Sequence, residues 1–257
     1  MIIYFSGTGN TRHCARRLSE LLGESLHELS VEELRNPASA IMDLPEGESR
    51  VIWAFPTYSW GVPPVVAAFM EKASFTAPVF SAAHYMLTSC GDDMAYTDRQ
   101  WRRNLRRRGI CAQEAFAVEM PNTYTLMKGF DVDSPDIETR KLEACEQRLL
   151  HIAEAIKEGK PSELIRGAFP FVKSAVIYPW FKRYAMSPEP FRSTEGCIEC
   201  GLCARSCPMG NITMENGRPQ WGGLCALCLR CYHICPRHAV AYGKATEGKG
   251  QYMCPLK

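Results

Sequence analysis

Residues 197–208 read CIECGLCARSCP, and residues 225–236 repeat the pattern as CALCLRCYHICP. In each run three cysteines are separated by two residues, and a fourth follows three residues later, directly before a proline. These eight of the 13 cysteines are Cys197, Cys200, Cys203, Cys207, Cys225, Cys228, Cys231 and Cys235. Large apolar residues are scarce from residue 193 onward, so burial alone cannot hold this region together. The spacing predicts a domain that is built around metal centres.

Two kinds of centre use closely spaced cysteines. Zinc sites usually take two CxxC pairs that are separated by a longer loop. The consecutive steps, the fourth cysteine before proline and the twofold occurrence favour iron–sulfur clusters instead. The runs resemble those of two-cluster bacterial ferredoxins, in which the fourth cysteine of each run ligates the other cluster. The resemblance implies one [4Fe–4S] cluster on Cys197, Cys200, Cys203 and Cys235, and a second on Cys225, Cys228, Cys231 and Cys207.

The first 160 residues alternate short apolar runs with longer helical patterns. Apolar runs lie at 1–5, 51–55, 85–87 and 111–120, with a weaker candidate at 25–29, and helical patterns lie at 11–22, 64–73, 98–108 and 135–158. This alternation is typical of βαβ units and predicts an α/β domain with a doubly wound five-stranded parallel sheet. Ligands of such domains bind beyond the carboxyl ends of the strands.

A glycine-containing loop follows the first apolar run and precedes the first helical pattern. Its residues are Ser6, Gly7, Thr8, Gly9, Asn10 and Thr11. Backbone amides at a helix N-terminus can bind a phosphate. The loop lacks the third glycine of a dinucleotide fingerprint, since Arg12 stands there, and the lysine of a Walker loop is also absent. A plain turn is the alternative reading of this loop by itself.

Two further loops follow predicted strands and can extend the same site. They contribute Pro56, Thr57, Tyr58, Ser59, Trp60 and Gly61, and then Ser89, Cys90, Gly91 and Asp92. The rings of Tyr58 and Trp60 can stack on a flat heterocycle, although ordinary packing is the alternative role for either ring. The three loops together resemble those of flavodoxins. The resemblance implies FMN as the ligand, and implies a backbone contact from Gly61 to flavin N5.

The whole chain resembles the flavodoxin–ferredoxin fusion proteins of anaerobic bacteria and archaea. We therefore expect a flavodoxin-like FMN domain at residues 1–160, a connector at 161–192, and a small α+β two-cluster ferredoxin domain at 193–257. The connector is rich in proline and aromatic residues and has one short helical candidate at 171–178. Packing between the two domains is the favoured role of its aromatic residues, and a membrane-surface anchor is the alternative.

Charge and motifs exclude several functions. The formal net charge is +2, and an arginine row on the helix at 98–108 (Arg99, Arg102, Arg103 and Arg106) is too little evidence for a nucleic-acid binder. We interpret the row as a solvated face, with docking of an acidic redox partner as the alternative. Neither a signal peptide nor a membrane span is predicted, so we expect a cytoplasmic protein whose thiols bind metal rather than form disulfides.

These patterns predict an iron–sulfur flavoprotein of electron transfer. FMN would exchange electrons with two [4Fe–4S] clusters and pass them to partner redox proteins. The alternative is an FMN-dependent reductase of a small molecule, such as a quinone, a tetrapyrrole or a nicotinamide. Whether the protein is an enzyme therefore stays open at this point, and its oligomeric state is not predicted.

Overall fold

The computed structural model describes residues 1–161 and 164–256. Its first part begins with β1 (Ile2–Tyr4), α1 (Asn10–Leu22), β2 (Leu26–Glu28), α2 (Val31–Arg35), β3 (Ile41–Met42) and β4 (Arg50–Pro56). It continues with α3 (Pro64–Lys72), β5 (Ser74–Phe75), α4 (Ala77–Ser81), β6 (Ala83–Cys90), α5 (Thr97–Arg107), β7 (Ala112–Glu119) and α6 (Pro135–Glu158). Strands and helices alternate along this part of the chain, as the sequence predicts.

Five of these strands form one parallel sheet in the order β2-β1-β4-β6-β7. The strand order reverses between β1 and β4, and the loops that leave these two strands diverge to opposite faces. Such a switch point opens a crevice at the carboxyl edge of the sheet. The predicted doubly wound, flavodoxin-like α/β fold is confirmed.

Alternation along the strands divides the core between the two faces of the sheet. Ile3 and Trp53 pack on the face that α3 and α5 cover, whereas Ile2 and Ile52 pack on the face that α1 and α6 cover. Successive side chains of a strand point to opposite faces, and a parallel sheet is buried on both. Both faces of β1 and β4 are therefore apolar, as burial on both sides requires.

The sequence patterns missed the shortest elements. β3 and β5 are two residues each and pair in parallel beside the main sheet, and α2 and α4 have five residues each. Segments of this length are too short to show a hydrophobic period. A local signal did exist for α2, since Ser30 and Glu33 form a reciprocal capping box at its start.

The connector is more helical than predicted. Helical turns run from 170 to 185 through α7 (Pro170–Val172), a π-helical segment (Lys173–Ile177), α8 (Tyr178–Trp180) and a second π-helical segment (Phe181–Ala185). Tyr178 and Phe181 are buried, in line with the predicted packing between domains. None of the described helices is both long and apolar enough to cross a membrane. Residues 162 and 163 of the predicted connector lie outside the described residues.

The C-terminal part is small and mixed, as expected. It contains β8 (Phe191–Ser193), α9 (Leu202–Arg205), β9 (Ile212–Glu215), β10 (Arg218–Trp221), α10 (Arg230–His233) and β11 (Val240–Tyr242). β8 pairs with β11, and β9 pairs with β10, both antiparallel. α9 and α10 occupy the same place in the two cysteine runs, so the domain is an internal repeat.

A buried histidine makes the sheet domain sensitive to pH. The Trp53 Nε1–H donates to His84 Nδ1 at 3.1 Å, so His84 Nε2–H donates to the Val79 carbonyl at 2.8 Å. Burial lowers the pKa of His84 below 6.5. Between the lowered pKa of His84 in the folded protein and its pKa of 6.5 in the unfolded chain, the unfolded chain binds more protons than the folded protein. The stability that the neutral ring supplies is therefore complete above pH 6.5 and declines as the pH falls.

We therefore expect His84→Phe to lower the free energy of unfolding by about 1–3 kcal/mol at neutral pH, because the Trp53 N–H and the Val79 carbonyl lose their partner. The penalty should shrink below pH 6.5, where the wild type loses stability that the variant never had. Urea unfolding at several pH values measures both effects. A penalty that is constant with pH would contradict the assignment of a neutral His84.

Candidate functional site

A cavity of about 320 Å³ opens at the carboxyl edge of the sheet, at the β1/β4 switch point. The structure brings the three predicted loops together around it. The predicted residues that line it are Ser6, Gly7, Thr8, Asn10, Thr11, Pro56, Thr57, Tyr58, Ser59, Trp60, Ser89, Cys90, Gly91 and Asp92. Gly9 and Gly61 belong to the same loops but do not line the cavity.

The loop before α1 has the geometry of an anion site. Gly9 has a φ of 104°, a left-handed conformation that favours glycine, and α1 begins at the next residue. In the described part of the chain, the N–H groups of Gly7, Thr8 and Gly9 have no backbone acceptor. Thr11 Oγ1 lies 2.7 Å from Ser89 Oγ, which connects this loop to the loop after β6. Free amides at a helix N-terminus fit the phosphate group of FMN.

The loop after β4 is a tight turn. Tyr58 and Gly61 exchange backbone hydrogen bonds of 2.9 and 3.0 Å, and Ser59 and Trp60 both have positive φ, at 43° and 63°. The Gly61 N–H is thus already bonded, and a Cβ at Gly61 would lie 2.3 Å from the Tyr178 ring. The expected contact from Gly61 to flavin N5 therefore stays a prediction without support from this geometry.

The turn carries two aromatic side chains, Tyr58 and Trp60, with different surroundings. The ammonium group of Lys173 lies 4.9 Å from the centre of the Trp60 ring. The Tyr58 hydroxyl is enclosed and has no hydrogen-bond partner among the described residues. Burial raises the pKa of Tyr58, and the neighbouring Cys228 sulfur raises it further. Tyr58 is therefore a neutral phenol that reaches from the cavity towards the second cysteine run.

Sequence reasoning missed half of the cavity wall. Loop residues 120–124 after β7 line it, as do Ile177, Trp180 and Phe181 of the connector, and residues 227–229 of the second cysteine run. The rule that ligand sites follow parallel strands would have found the loop after β7. The other two segments are distant in sequence, and no local pattern marks them as cavity residues.

The cysteines of the two runs separate into two groups. Cys197, Cys200, Cys203 and Cys235 line one small cavity of about 20 Å³. Burial raises the pKa of Cys203, and the sulfurs of Cys235 and Cys197 raise it further. In the other group, burial raises the pKa of Cys228 to about 12, and the sulfurs of Cys207 and Cys225 raise it further. Burial also raises the pKa of Cys231, and the sulfurs of Cys228, Cys225 and Cys207 raise it further. The fourth cysteine of each run thus lies with the three of the other run.

Backbone amides point at these sulfurs, as an iron–sulfur site requires. The Asn211 N–H donates to Cys207 Sγ at 3.4 Å, and the Ala239 N–H donates to Cys235 Sγ at 3.3 Å. A third amide, that of Leu227, donates to Cys225 Sγ at 3.3 Å. Hydrogen bonds to sulfur and the degree of solvent exposure set the reduction potential of such clusters. The described side chains contain no group of three or more His, Cys, Asp or Glu that could hold a single metal ion.

The second cysteine run directly contacts the loop Ser6–Thr11, which is the predicted phosphate loop. A Cβ at Gly7 would lie 2.9 Å from the Cys228 carbonyl oxygen and 3.0 Å from its Cβ. The C-terminal segment holds the same loop from another side, since the Cys254 N–H donates to the Thr8 carbonyl at 2.9 Å and the Tyr252 hydroxyl donates to Asn10 Oδ1 at 2.8 Å. The site is therefore built from both ends of the chain.

The other predicted features lie outside the cavity. Arg103 and Arg106 are exposed, while Arg99 lies 3.6 Å from the centre of the Tyr96 ring. The arginine row is therefore a solvated face for part of its length. Cys14 and Cys145, to which no role was assigned, are buried with their sulfurs 3.9 Å apart.

Comparisons with known proteins agree with this architecture. Residues 2–122 match the flavodoxin family model, and residues 196–240 match the model of the 4Fe-4S dicluster domain. The comparison with curated proteins found no match.

Among solved structures, the chain is similar to a flavodoxin from Streptococcus pneumoniae TIGR4 (17% identity, 61% of this chain and 96% of that chain, TM-score 0.38). It is also similar to the two-electron reduced flavodoxin of Megasphaera elsdenii (19%, 60% and 98%, TM-score 0.34). A third is an NAD(P)H:quinone oxidoreductase from Methanothermobacter marburgensis (10%, 59% and 92%, TM-score 0.36).

The flavodoxin domain implies FMN, and the dicluster domain implies 4Fe-4S clusters. A flavodoxin domain followed by a 4Fe-4S dicluster domain makes this chain an FMN and iron–sulfur redox protein with the architecture of a flavodoxin–ferredoxin fusion.

Proposed function

We propose that the protein transfers electrons between FMN and two [4Fe–4S] clusters, and onward to partner redox proteins. One cluster would be held by Cys197, Cys200, Cys203 and Cys235, and the other by Cys225, Cys228, Cys231 and Cys207. Bound FMN supplies chemistry in steps of one or two electrons, and each cluster supplies steps of one. Such a protein would convert between one-electron and two-electron partners.

The contact between Gly7 and Cys228 carries this proposal. Residues 227–229 line the same cavity as the phosphate loop, so a ligand of Cys228 and a ligand of this cavity would be separated by one layer of protein. The Cys197 group is instead near solvent, since Cys200 is exposed and Ile198 is 58% exposed. We infer an electron path on which the Cys197 group lies next to solvent and the Cys225 group lies between the Cys197 group and FMN.

The chain's own residues would bind and orient FMN. The free amides of 7–9 would hold its phosphate group, and Trp60 and Tyr58 would flank its ring. Thr57 Oγ1 lies 2.9 Å from Thr88 Oγ1, which itself donates to the Phe55 carbonyl at 2.9 Å. Thr57 is therefore the donor to Thr88, and this chain of hydrogen bonds ties the loop after β4 to strand β6, where it would support the ring.

The cavity also supports the second function, reduction of a small apolar molecule. Beyond the predicted loops it is lined by Met127, Phe130, Trp180 and Phe181. These side chains make one end of the cavity apolar, which suits a quinone better than a charged nicotinamide. Steady reduction of a water-soluble quinone by the purified protein, supplied only with a chemical reductant, would favour a reductase over a pure carrier.

The electron path is tested by removing one ligand of each group. The wild type, purified without oxygen, should contain about eight irons per chain and one FMN. Cys228→Ser and Cys200→Ser should each lose iron and retain FMN. After mixing with reduced methyl viologen, which delivers single electrons at the surface, flavin bleaching should slow in both variants, because the two groups lie in series. Absence of FMN or iron from the wild type, or a wild-type bleaching rate in either variant, would contradict the proposal.

The contact of the two domains is tested by adding one methyl group. Gly7→Ala places a Cβ against Cys228, and overpacking of this kind costs about 1–3 kcal/mol. We expect weaker FMN binding and slower electron exchange between flavin and clusters, measured by fluorescence titration and stopped flow. Gly223→Ala is the matched control, since a Cβ there has no atom within 4 Å. Equal behaviour of the two variants would show that the domains do not meet at Gly7.

A further inference from the structure

Two polar residues of the connector helix at 170–185, Lys173 and Ser174, face the sheet domain. The Lys173 ammonium group forms a salt bridge with Asp93. The Ser174 hydroxyl donates to the Trp60 carbonyl at 3.0 Å and accepts from the Tyr96 N–H at 2.9 Å. Hydrogen bonds and an ion pair therefore fasten this helix to the domain, together with the buried rings of Tyr178 and Phe181.

The outward face of the same helix is apolar as far as Trp180. Exposed residues recur every four positions: Phe171 with Val172, Ala175 with Val176, Pro179 with Trp180, and then Lys182, Arg183 and Tyr184 together. A π turn takes more residues than an α turn, so a repeat of four stays on one side of this mixed helix. Phe171 is 67%, Val176 58%, Trp180 52% and Tyr184 68% exposed. Single exposed apolar residues are normal, but a contiguous row of this length marks an interaction surface.

Charge indicates what this surface meets. From residue 164 to 188 the chain has four basic residues and no Asp or Glu. Arg166 and Lys173 are paired with Asp98 and Asp93, whereas Lys182 and Arg183 form no salt bridge within the described residues. These two free cations lie at the end of the apolar row, where they would meet anionic groups beside an apolar phase.

A protein partner would need hydrogen bonds, about one for each 100–200 Å² of interface. The polar groups of the outward row are the Trp180 N–H and, at its end, the side chains of Lys182, Arg183 and Tyr184. Tryptophan and tyrosine are the side chains that concentrate at membrane–water interfaces. We propose that the helix at 170–185 lies in the surface of a membrane that contains anionic phospholipids, with Phe171, Val172, Val176 and Trp180 among the acyl chains and Lys182 and Arg183 at the headgroups.

The proposed membrane surface adjoins the cavity. Trp180 belongs to the exposed row and also lines the cavity. The apolar end of the cavity would therefore open beside the acyl chains. The protein would exchange electrons at a membrane surface without a transmembrane helix. This inference does not depend on the order of the cofactors.

Co-sedimentation of the anaerobically purified full chain with lipid vesicles tests this surface. We expect binding to vesicles of phosphatidylcholine with phosphatidylglycerol, and weaker binding to phosphatidylcholine alone. Phe171→Ser combined with Val176→Ser should reduce the partition constant at least about tenfold, since two apolar side chains no longer leave water. Lys182→Gln combined with Arg183→Gln should reduce it about fivefold per charge at low salt. None of these four residues lines the cavity, so FMN and iron contents should be unchanged.

Two matched controls make the result specific. Ile41→Ser removes an apolar side chain that is 73% exposed on β3, and Arg103→Gln with Arg107→Gln removes two exposed cations from α5. Both should bind vesicles as the wild type does. The proposal is wrong if the wild type ignores anionic vesicles, or if the serine variant binds them equally well. A dimer in sedimentation analysis that Val176→Ser disrupts, without vesicle binding, would assign the surface to a second copy instead.

Discussion

The site depends on a close approach between two backbones. Gly7 has no side chain, and the carbonyl of Cys228 occupies the space that a Cβ would need. Any other residue at this position would push the second cysteine run away from the phosphate loop. The two domains therefore share a wall, and van der Waals contact rather than a flexible linker sets the distance between the Cys228 backbone and the loop Ser6–Thr11. A rigid short separation is what transfer between buried cofactors demands.

Ion pairs then hold the connector, which forms another wall of the cavity, in place. Asp93 and Asp98 follow β6 and pair with Lys173 and Arg166 of the connector. Partly buried ion pairs add little net stability, but loss of one partner leaves a desolvated charge and is costly. Such pairs determine position more than stability. They fix the connector beside the cavity, together with the buried rings of Tyr178 and Phe181. The apolar row at 171–180 is left exposed on the opposite side.

The sequence predicts those parts of the site whose signals are local. The loop Ser6–Thr11 lies between an apolar run and a helix, and the resemblance of the cysteine runs to those of ferredoxins implies the two groups that the structure brings together. What the sequence missed is non-local. Residues 227–229 line the cavity because the domains dock, and docking leaves no periodicity in the sequence. The flavin contact that family resemblance assigns to Gly61 stays a prediction, since its N–H bonds within the turn and the Tyr178 ring lies against it.

Differences between the two cysteine runs show which of them is specialised for docking. Glu199 and Gly201 of the first run have left-handed backbones, and Leu227 and Leu229 have the same conformation at the matching positions. This conformation costs a non-glycine residue roughly 1–2 kcal/mol. Glycine avoids that cost at position 201, whereas Leu229 accepts it and is 97% buried beside Phe181. The strain is offset by burial against the connector. The two runs therefore share the backbone conformation of their loops, and the second has an apolar side chain where it packs beside the connector.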